Sequence, residues 1–169
     1  ETRGGGLLTN KFNSVITNCT FTGNLAGSNE GAPPLAGGAG GGINIDSEDN
    51  VSVPTMISVI TNTVITNNTA ETSANNSFGG GVIVRAIDAT VTIDGCTINN
   101  NVSIATSLTA CNGGTCSGFA GGVYNQQAHM ILRNTTVSGN TTSHFHAGIR
   151  NLSSTGAAAR LDVINSTIS

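Results

Sequence analysis

Two short motifs recur five times in one fixed order, and that recurrence constrains the fold more than any other feature of the chain. The first is a small pair followed by an apolar residue: Gly5-Gly6-Leu7, Gly41-Gly42-Ile43, Gly80-Gly81-Val82, Gly121-Gly122-Val123 and Ala147-Gly148-Ile149. The anchoring glycines 6, 42, 81, 122 and 148 are spaced 36, 39, 41 and 26 residues apart. The second motif follows each time, as Asn18-Cys-Thr-Phe-Thr-Gly-Asn24, Asn62-Thr-Val-Ile-Thr-Asn-Asn68, Gly95-Cys-Thr-Ile-Asn-Asn-Asn101, Asn134-Thr-Thr-Val-Ser-Gly-Asn140 and Asn165-Ser-Thr-Ile-Ser169. Self-similarity at such periods marks an array of stacked units that bury a core only against one another.

Within the second motif the fourth position is always apolar (Phe21, Ile65, Ile98, Val137, Ile168). The two-residue period of a strand then turns positions two and four to one face and positions three and five to the other. Upstream, Val91 and Ile93, Met130 and Leu132, and Leu161 and Val163 extend the inward set. With Leu7, Ile43, Val82, Val123 and Ile149 they are expected to form continuous apolar columns. The glycine of the first motif serves a tight corner. The last repeat needs about 24 to 26 residues, which predicts a coil of three short strands, each paired with its copies above and below at ~4.8 Å in parallel sheets. Composition agrees: 23 Gly, 23 Thr, 21 Asn and 16 Ser make nearly half of the 169 residues, and all four types are poor helix formers. The expected fold is all-β, a right-handed parallel β-helix of about five coils with loop insertions, in a single domain over residues 1–169.

The alternation of Gly-Gly-apolar with Asn-Ser-Thr-Ile-Ser-Gly-Asn-like motifs resembles the right-handed parallel β-helix proteins of bacterial surfaces. The polymorphic outer-membrane proteins and related autotransporter adhesins carry similar Gly-Gly-Ala-Ile and Phe-x-x-Asn repeats, and Phe21-Thr22-Gly23-Asn24 matches the latter. The resemblance implies an elongated, secreted or surface-exposed adhesive protein and no chemistry by itself.

Residues 25–40, 69–78 and 102–118 read as loops inserted after the Asn-ending motif, and residues 46–55 as a short acidic excursion. Cys111 and Cys116 bracket Asn-Gly-Gly-Thr in one of these inserts and are expected to form a local disulfide. Cys19 and Cys96 share an inward position two coils apart, about 9.6 Å from the strand spacing and beyond disulfide reach. They are expected to be free thiols serving as small apolar fillers. His144 and His146 flank Phe145 and are read as an exposed corner beside Gly148 rather than a metal site. Asp46, Glu48, Asp49 and Asn50 could offer oxygen ligands to calcium; a solvated acidic loop is the preferred reading. Asp88, Asp94 and Asp162 look isolated, with only Arg85 and Arg133 near repeat strands, so no carboxylate pair for acid–base catalysis is expected. The chain is therefore expected not to be an enzyme and to need no cofactor.

Six basic residues scattered against nine acidic ones give no nucleic-acid footprint, and no apolar run approaches the ~20 residues of a membrane span. The sequence opens at Glu1 without a signal peptide, as a processed or trimmed chain would. Nine Asn-x-Ser/Thr sequons occur, at Asn18, Asn50, Asn67, Asn75, Asn101, Asn134, Asn140, Asn151 and Asn165. Stacked corner asparagines (Asn18, Asn134 and Asn165 at one corner; Asn24, Asn68, Asn101 and Asn140 at another) are expected to bond their amides in ladders and hide from sugar. Asn50, Asn67 and Asn75, in or beside inserts, are the expected acceptors. The outward residues Thr20, Thr22, Thr66, Thr97, Thr136, Ser138 and Thr167 form a ladder that resembles the Thr-rich faces of ice-binding β-solenoids and could equally take a glycan. The main expectation is an extracellular or cell-surface structural protein. Its uncapped end coils would let one molecule continue another into a filament.

Overall fold

The computed structural model describes residues 2–28, 37–47, 52–73, 76–106, 116–153 and 158–169. Among them the regular structure is all strand, and every strand pairing is parallel. The strands gather in five sheets, visited in the same order by each turn of chain. Sheet I holds Thr2–Arg3, Gly38–Ala39, Ser77–Phe78 and Gly118–Phe119. Sheet II holds Leu7–Asn10, Ile43–Asp46, Val82–Arg85, Val123–Gln126 and Ile149–Leu152. Sheet III holds Ser14–Thr17, Ile57–Thr61, Thr90–Asp94, His129–Arg133 and Arg160–Ile164. Sheet IV holds Thr20–Thr22, Val64–Thr66, Thr97–Asn99, Thr136–Ser138 and Thr167–Ile168. Sheet V holds Leu25–Ser28, Thr69–Thr72, Val102–Ala105 and Thr141–Thr142. The chain is a parallel β-helix of five coils.

The coil has five strand segments, where the sequence predicts three. The extra sheets, I and V, fall inside the stretches 25–40, 69–78 and 102–118 that read as loops. Their strands are two to four residues long and lack the β-branched alternation that marks sheets II to IV. The inward residues of sheet V include Ala26, Ala70 and Ser103, all fully buried. The glycine corner of sheet II comes close to this sheet: a Cβ on Gly41 would lie 2.6 Å from the Thr69 carbonyl carbon. Close approach, rather than an unusual dihedral, requires that glycine.

The core runs along the axis in columns. Leu7, Ile43, Val82, Val123 and Ile149 are in register on sheet II. Ile16, Ile60, Ile93, Leu132 and Val163 follow on sheet III, and Phe21, Ile65, Ile98, Val137 and Ile168 on sheet IV. In the three middle coils every one of these side chains is fully buried. Complete burial of such a side chain contributes roughly 1.5–3 kcal/mol. In the fifth coil Val163 and Ile168 stand 45% and 47% exposed.

Between sheets I and II the chain bends through a left-handed residue in every coil: Gly4, Gly40, Gly79, Ala120 and His146, with φ between 56° and 67°. Outward side chains of the two sheets then meet across the bend, as the Phe78 and Tyr124 rings do edge to face at 5.2 Å. Ile83 and Tyr124 accordingly point away from the main core and are still buried, in a second apolar cluster with Ala39, Ala120, Phe78, Phe119 and Leu152.

Candidate functional site

Sheet IV carries the outward ladder. Thr20, Val64, Thr97, Thr136 and Thr167 stack in one column, and Thr22, Thr66, Asn99 and Ser138 in the next. Coil-to-coil separation is ~4.8 Å and residues two apart along a strand lie ~6.7 Å apart, so the face is a rectangular array of hydroxyls. Val64 interrupts the first column and is 39% exposed. At the neighbouring corner Thr61 Oγ1 donates to Thr17 Oγ1 at 2.9 Å.

Beneath that face lies a polar ladder that sequence reasoning read as filler. Cys19, Thr63, Cys96, Thr135 and Ser166 occupy the inward position just before each sheet IV strand. Thr63, Thr135 and Ser166 each donate a hydroxyl proton to the carbonyl two residues back, at 2.8 Å. The thiols do the same at longer range, Cys19 to Thr17 at 3.2 Å and Cys96 to Asp94 at 3.3 Å. From Thr63 onward each group also receives the backbone N–H of the preceding coil, as Thr63 Oγ1 does from Cys19, Thr135 Oγ1 from Cys96 and Ser166 Oγ from Thr135. The thiols therefore replace hydroxyls in a hydrogen-bonded column. Both are free. Burial pushes the Cys96 thiol above its ordinary pKa, against the smaller opposite pull of the Thr63 backbone N–H. Cys116 is disulfide-bonded; the expected partner, Cys111, lies outside the described residues.

The two asparagine corners differ. Asn24, Asn68, Asn101 and Asn140 form an amide ladder, each Nδ2 donating to the next Oδ1 at 2.8, 2.9 and 3.0 Å. Asn68, Asn101 and Asn140 are buried, so the sequons at Asn101 and Asn140 are closed to sugar. At the other corner Asn18, Asn62, Asn134 and Asn165 adopt left-handed dihedrals near +50°, with Gly95 in the same column. Here the expectation of concealment fails. Asn18, Asn134 and Asn165 are exposed, because a left-handed corner residue projects its side chain off the coil. Asn165 still donates to Asn134 at 2.7 Å, and Asn134 to Asp94 at 2.8 Å. Asn67 is exposed at a left-handed turn, and Asn50 and Asn75 lie outside the described residues.

The charged groups are less scattered than they look in sequence. Asp46 is buried at the end of a sheet II strand, its Oδ2 2.9 Å from both Arg3 and Arg85. It is no member of a solvated loop; Glu48 and Asp49 lie outside the described residues. Asp162 is not isolated either: His129 Nε2 and Arg160 Nη2 both stand 2.9 Å from its Oδ2. The His129 hydrogen bond, followed by that of Arg160, holds its carboxyl below the usual aspartate value. Among the described residues no three His, Cys, Asp or Glu side chains gather as a metal cluster. His144 and His146 are exposed, the latter at the left-handed bend beside Ala147.

The aromatic stack went unread in the sequence. Phe78, Phe119 and Phe145 lie in register with ring centroids 5.5 and 5.6 Å apart and planes 15° and 12° from parallel. The Arg150 guanidinium sits 4.1 Å above the Phe119 ring. Each Phe stands three residues before an anchoring glycine, a periodic signal that the inserts obscure. Arg3 and Ala39 hold the same place in the first two coils.

No family model, no curated protein and no solved structure matches the chain. No helix among the described residues is long and apolar enough to cross a membrane.

Proposed function

We propose that this chain is a non-enzymatic structural or adhesive protein of the extracellular space or cell surface, whose β-helices stack end to end into a filament. The carrying observation is the distribution of exposed large apolar side chains. Leu8, Phe12, Val15 and Leu25 lie in the first coil, Ile57 and Val64 in the second, and Phe145, Val163, Ile164 and Ile168 at the fifth. Among the described residues coils three and four contribute none, so exposed apolar surface concentrates in coils one, two and five, where Leu8, Val15 and Val64 face outward on the flank. Exposed apolar patches of this kind mark interaction surfaces. A contact between unlike ends is heterologous and propagates as an open fibre. The repeat resemblance to polymorphic outer-membrane proteins and autotransporter adhesins supports the surface location, and exposed sequons such as Asn67 support covalent glycans on the sides of the rod. Light scattering and electron microscopy of residues 1–169 at rising concentration test the reading: concentration-dependent rods of one coil's width support it, and a strict monomer at high concentration overturns it.

A second reading rests on the two registered columns of sheet IV. Their spacing suits a regular hydroxylated ligand, a glycan or an ice surface. Thermal hysteresis and glycan-array binding of the wild type against Thr97→Lys decide it, since a bulky charge there would break the array without touching the core.

A further inference from the structure

We infer that the corner between sheets III and IV is an N-glycosylation edge, with Asn18, Asn134 and Asn165 as its acceptors. Such modification rests on the extracellular setting proposed above and is independent of any end-to-end contact. Each coil turns this corner through one left-handed residue: Asn18, Asn62, Gly95, Asn134 and Asn165. Asn62, Gly95 and Asn134 have a coil on either side and are exposed all the same. Exposure here therefore comes from the direction in which the corner projects, whichever coil carries it.

The sequons cross the corner in a fixed phase. The residue after each Asn points inward (Cys19, Thr135, Ser166), and the next is the first outward residue of sheet IV (Thr20, Thr136, Thr167). In Asn18-Cys19-Thr20, Asn134-Thr135-Thr136 and Asn165-Ser166-Thr167 the carboxamide and the hydroxyl that together define an acceptor are thus both exposed. The other two corners each lack one of the pair: Val64 stands where the hydroxyl would be, and Gly95 where the Asn would be.

Hydrogen bonding separates this corner from the buried ladder. Transfer from a lipid-linked glycosyl diphosphate breaks the bond between the sugar C1 and the diphosphate oxygen, which departs with the electron pair. It forms a C1–Nδ2 bond and releases one Nδ2 proton, so the modified amide keeps a single N–H. Asn134 donates one N–H to Asp94 Oδ1 at 2.8 Å, and Asn165 donates one to Asn134 Oδ1 at 2.7 Å. Each has a second hydrogen to give up. Asn101 spends both, on Asn140 Oδ1 at 3.0 Å and the Ile65 carbonyl at 2.9 Å, and its sequon partner Ser103 is as fully buried as it is. A chain glycosylated at Asn101 could not close that turn. Sugars at the exposed corner would instead line one edge of the stack at multiples of ~4.8 Å, beside the hydroxyl columns of sheet IV, and displace nothing in the core.

Peptide mapping of the protein purified from its source tests the assignment. Enzymatic hydrolysis of N-glycans in heavy-oxygen water converts each modified Asn to a labelled Asp, and a digest without the enzyme corrects for spontaneous deamidation. Label is expected at Asn18, Asn134 and Asn165 and absent from Asn101 and Asn140. Thr136→Val copies the valine that column already holds at Val64, so it should remove the label from Asn134 alone and leave the circular dichroism spectrum unchanged. Val64→Thr, expressed in the same host, should add a label at Asn62. An unlabelled Asn134 in the wild type, a labelled Asn101 in folded protein, or Val64→Thr without a gain at Asn62 would overturn the assignment. None of these measurements needs association: a labelled strict monomer would overturn the filament alone, and an unlabelled filament the glycosylated edge alone.

Discussion

Asn101 Oδ1 accepts two hydrogen bonds from one neighbour, from Asn68 Nδ2 at 2.9 Å and from the Asn68 backbone N–H at 3.0 Å. Asn101 in turn sends its own Nδ2 to Asn140 Oδ1 and to the Ile65 carbonyl at 2.9 Å. One buried amide of the third coil thus satisfies groups of the second and the fourth. An exposed coil corner would leave these backbone groups to water; here the turn is buried, and a side chain must replace the solvent.

Asn101→Ala should therefore be costly. It strands two buried donors of Asn68, each worth about 1–3 kcal/mol when unsatisfied. The expected loss is several times that of Asn24→Ala, made at the half-buried foot of the ladder. Urea denaturation of the two variants measures the difference; equal losses would mean that the ladder does not concentrate in the middle coils.

Cys96 provides a contrast within the neighbouring column. Cys96→Thr restores the hydroxyl found at Thr63 and Thr135 and should change stability by less than about 0.5 kcal/mol, a near-isosteric exchange of one donor for another. Cys96→Val removes the group that meets the Thr63 N–H and should cost about 1–3 kcal/mol. Burial and the raised thiol also predict slow alkylation of Cys96 in the folded state, with Cys19 reacting first. Mapping without reductant reports both thiols and, in the same experiment, whether Cys116 is joined to Cys111.

Phe119 holds the centre of the aromatic stack, with a ring on either side and a guanidinium above. Phe119→Leu keeps most of the apolar bulk and loses two ring–ring contacts and one cation–π contact. The expected cost is about 1.5–4 kcal/mol, from roughly 0.5–1.5 for each aromatic pair and about 0.5–1 for the cation. The same change at Phe145, which has one ring neighbour in register and an open face, should cost less, as thermal unfolding of both variants would reveal.

Asp162 sets an acid dependence in the last coil. Its carboxyl is held below the ordinary value in the folded chain, so the unfolded state takes up its proton first as pH falls. The stabilisation is complete above the ordinary aspartate pKa of about 3.9 and disappears as pH drops through the depressed folded value. Asp162→Asn should lower the melting temperature at neutral pH and lose that part of the acid dependence. Melting curves of wild type and variant that remain parallel down to the lowest pH would contradict the assignment.

The fold was legible where the sequence repeats a chemistry at fixed spacing. Ile98 and its column announce the core, and Asn68, Asn101 and Asn140 announce a corner. Sheet V was not legible because its inward residues include Ala26, Ala70 and Ser103, and sheet I was not because its strands are only two residues long. Side chains as small as those of sheet V offer little apolar area, so they carry no hydrophobic period. Asp46 was misread for another reason: its partners Arg3 and Arg85 are distant in sequence, and only the coil register brings them to the same place. The Phe78, Phe119 and Phe145 spacing was present in the sequence, measured from each anchoring glycine, but it emerges only once the inserts are set aside.

The five sheets also give the molecule a mechanical grain. All interstrand hydrogen bonds lie along the coil axis, while the covalent backbone runs around it. A pull on the two termini would load those bonds one coil at a time, peeling rather than shearing, and each released turn would add slack in proportion to its length. The anchor spacings of 26 to 41 residues correspond to increments of ~90 to 140 Å at about 3.5 Å per residue. The segments that make the repeats unequal in length would then act as stored length. Under tension such a chain lengthens in unequal steps and dissipates work at each one, whereas force applied across the axis meets continuous backbone and finds it stiff.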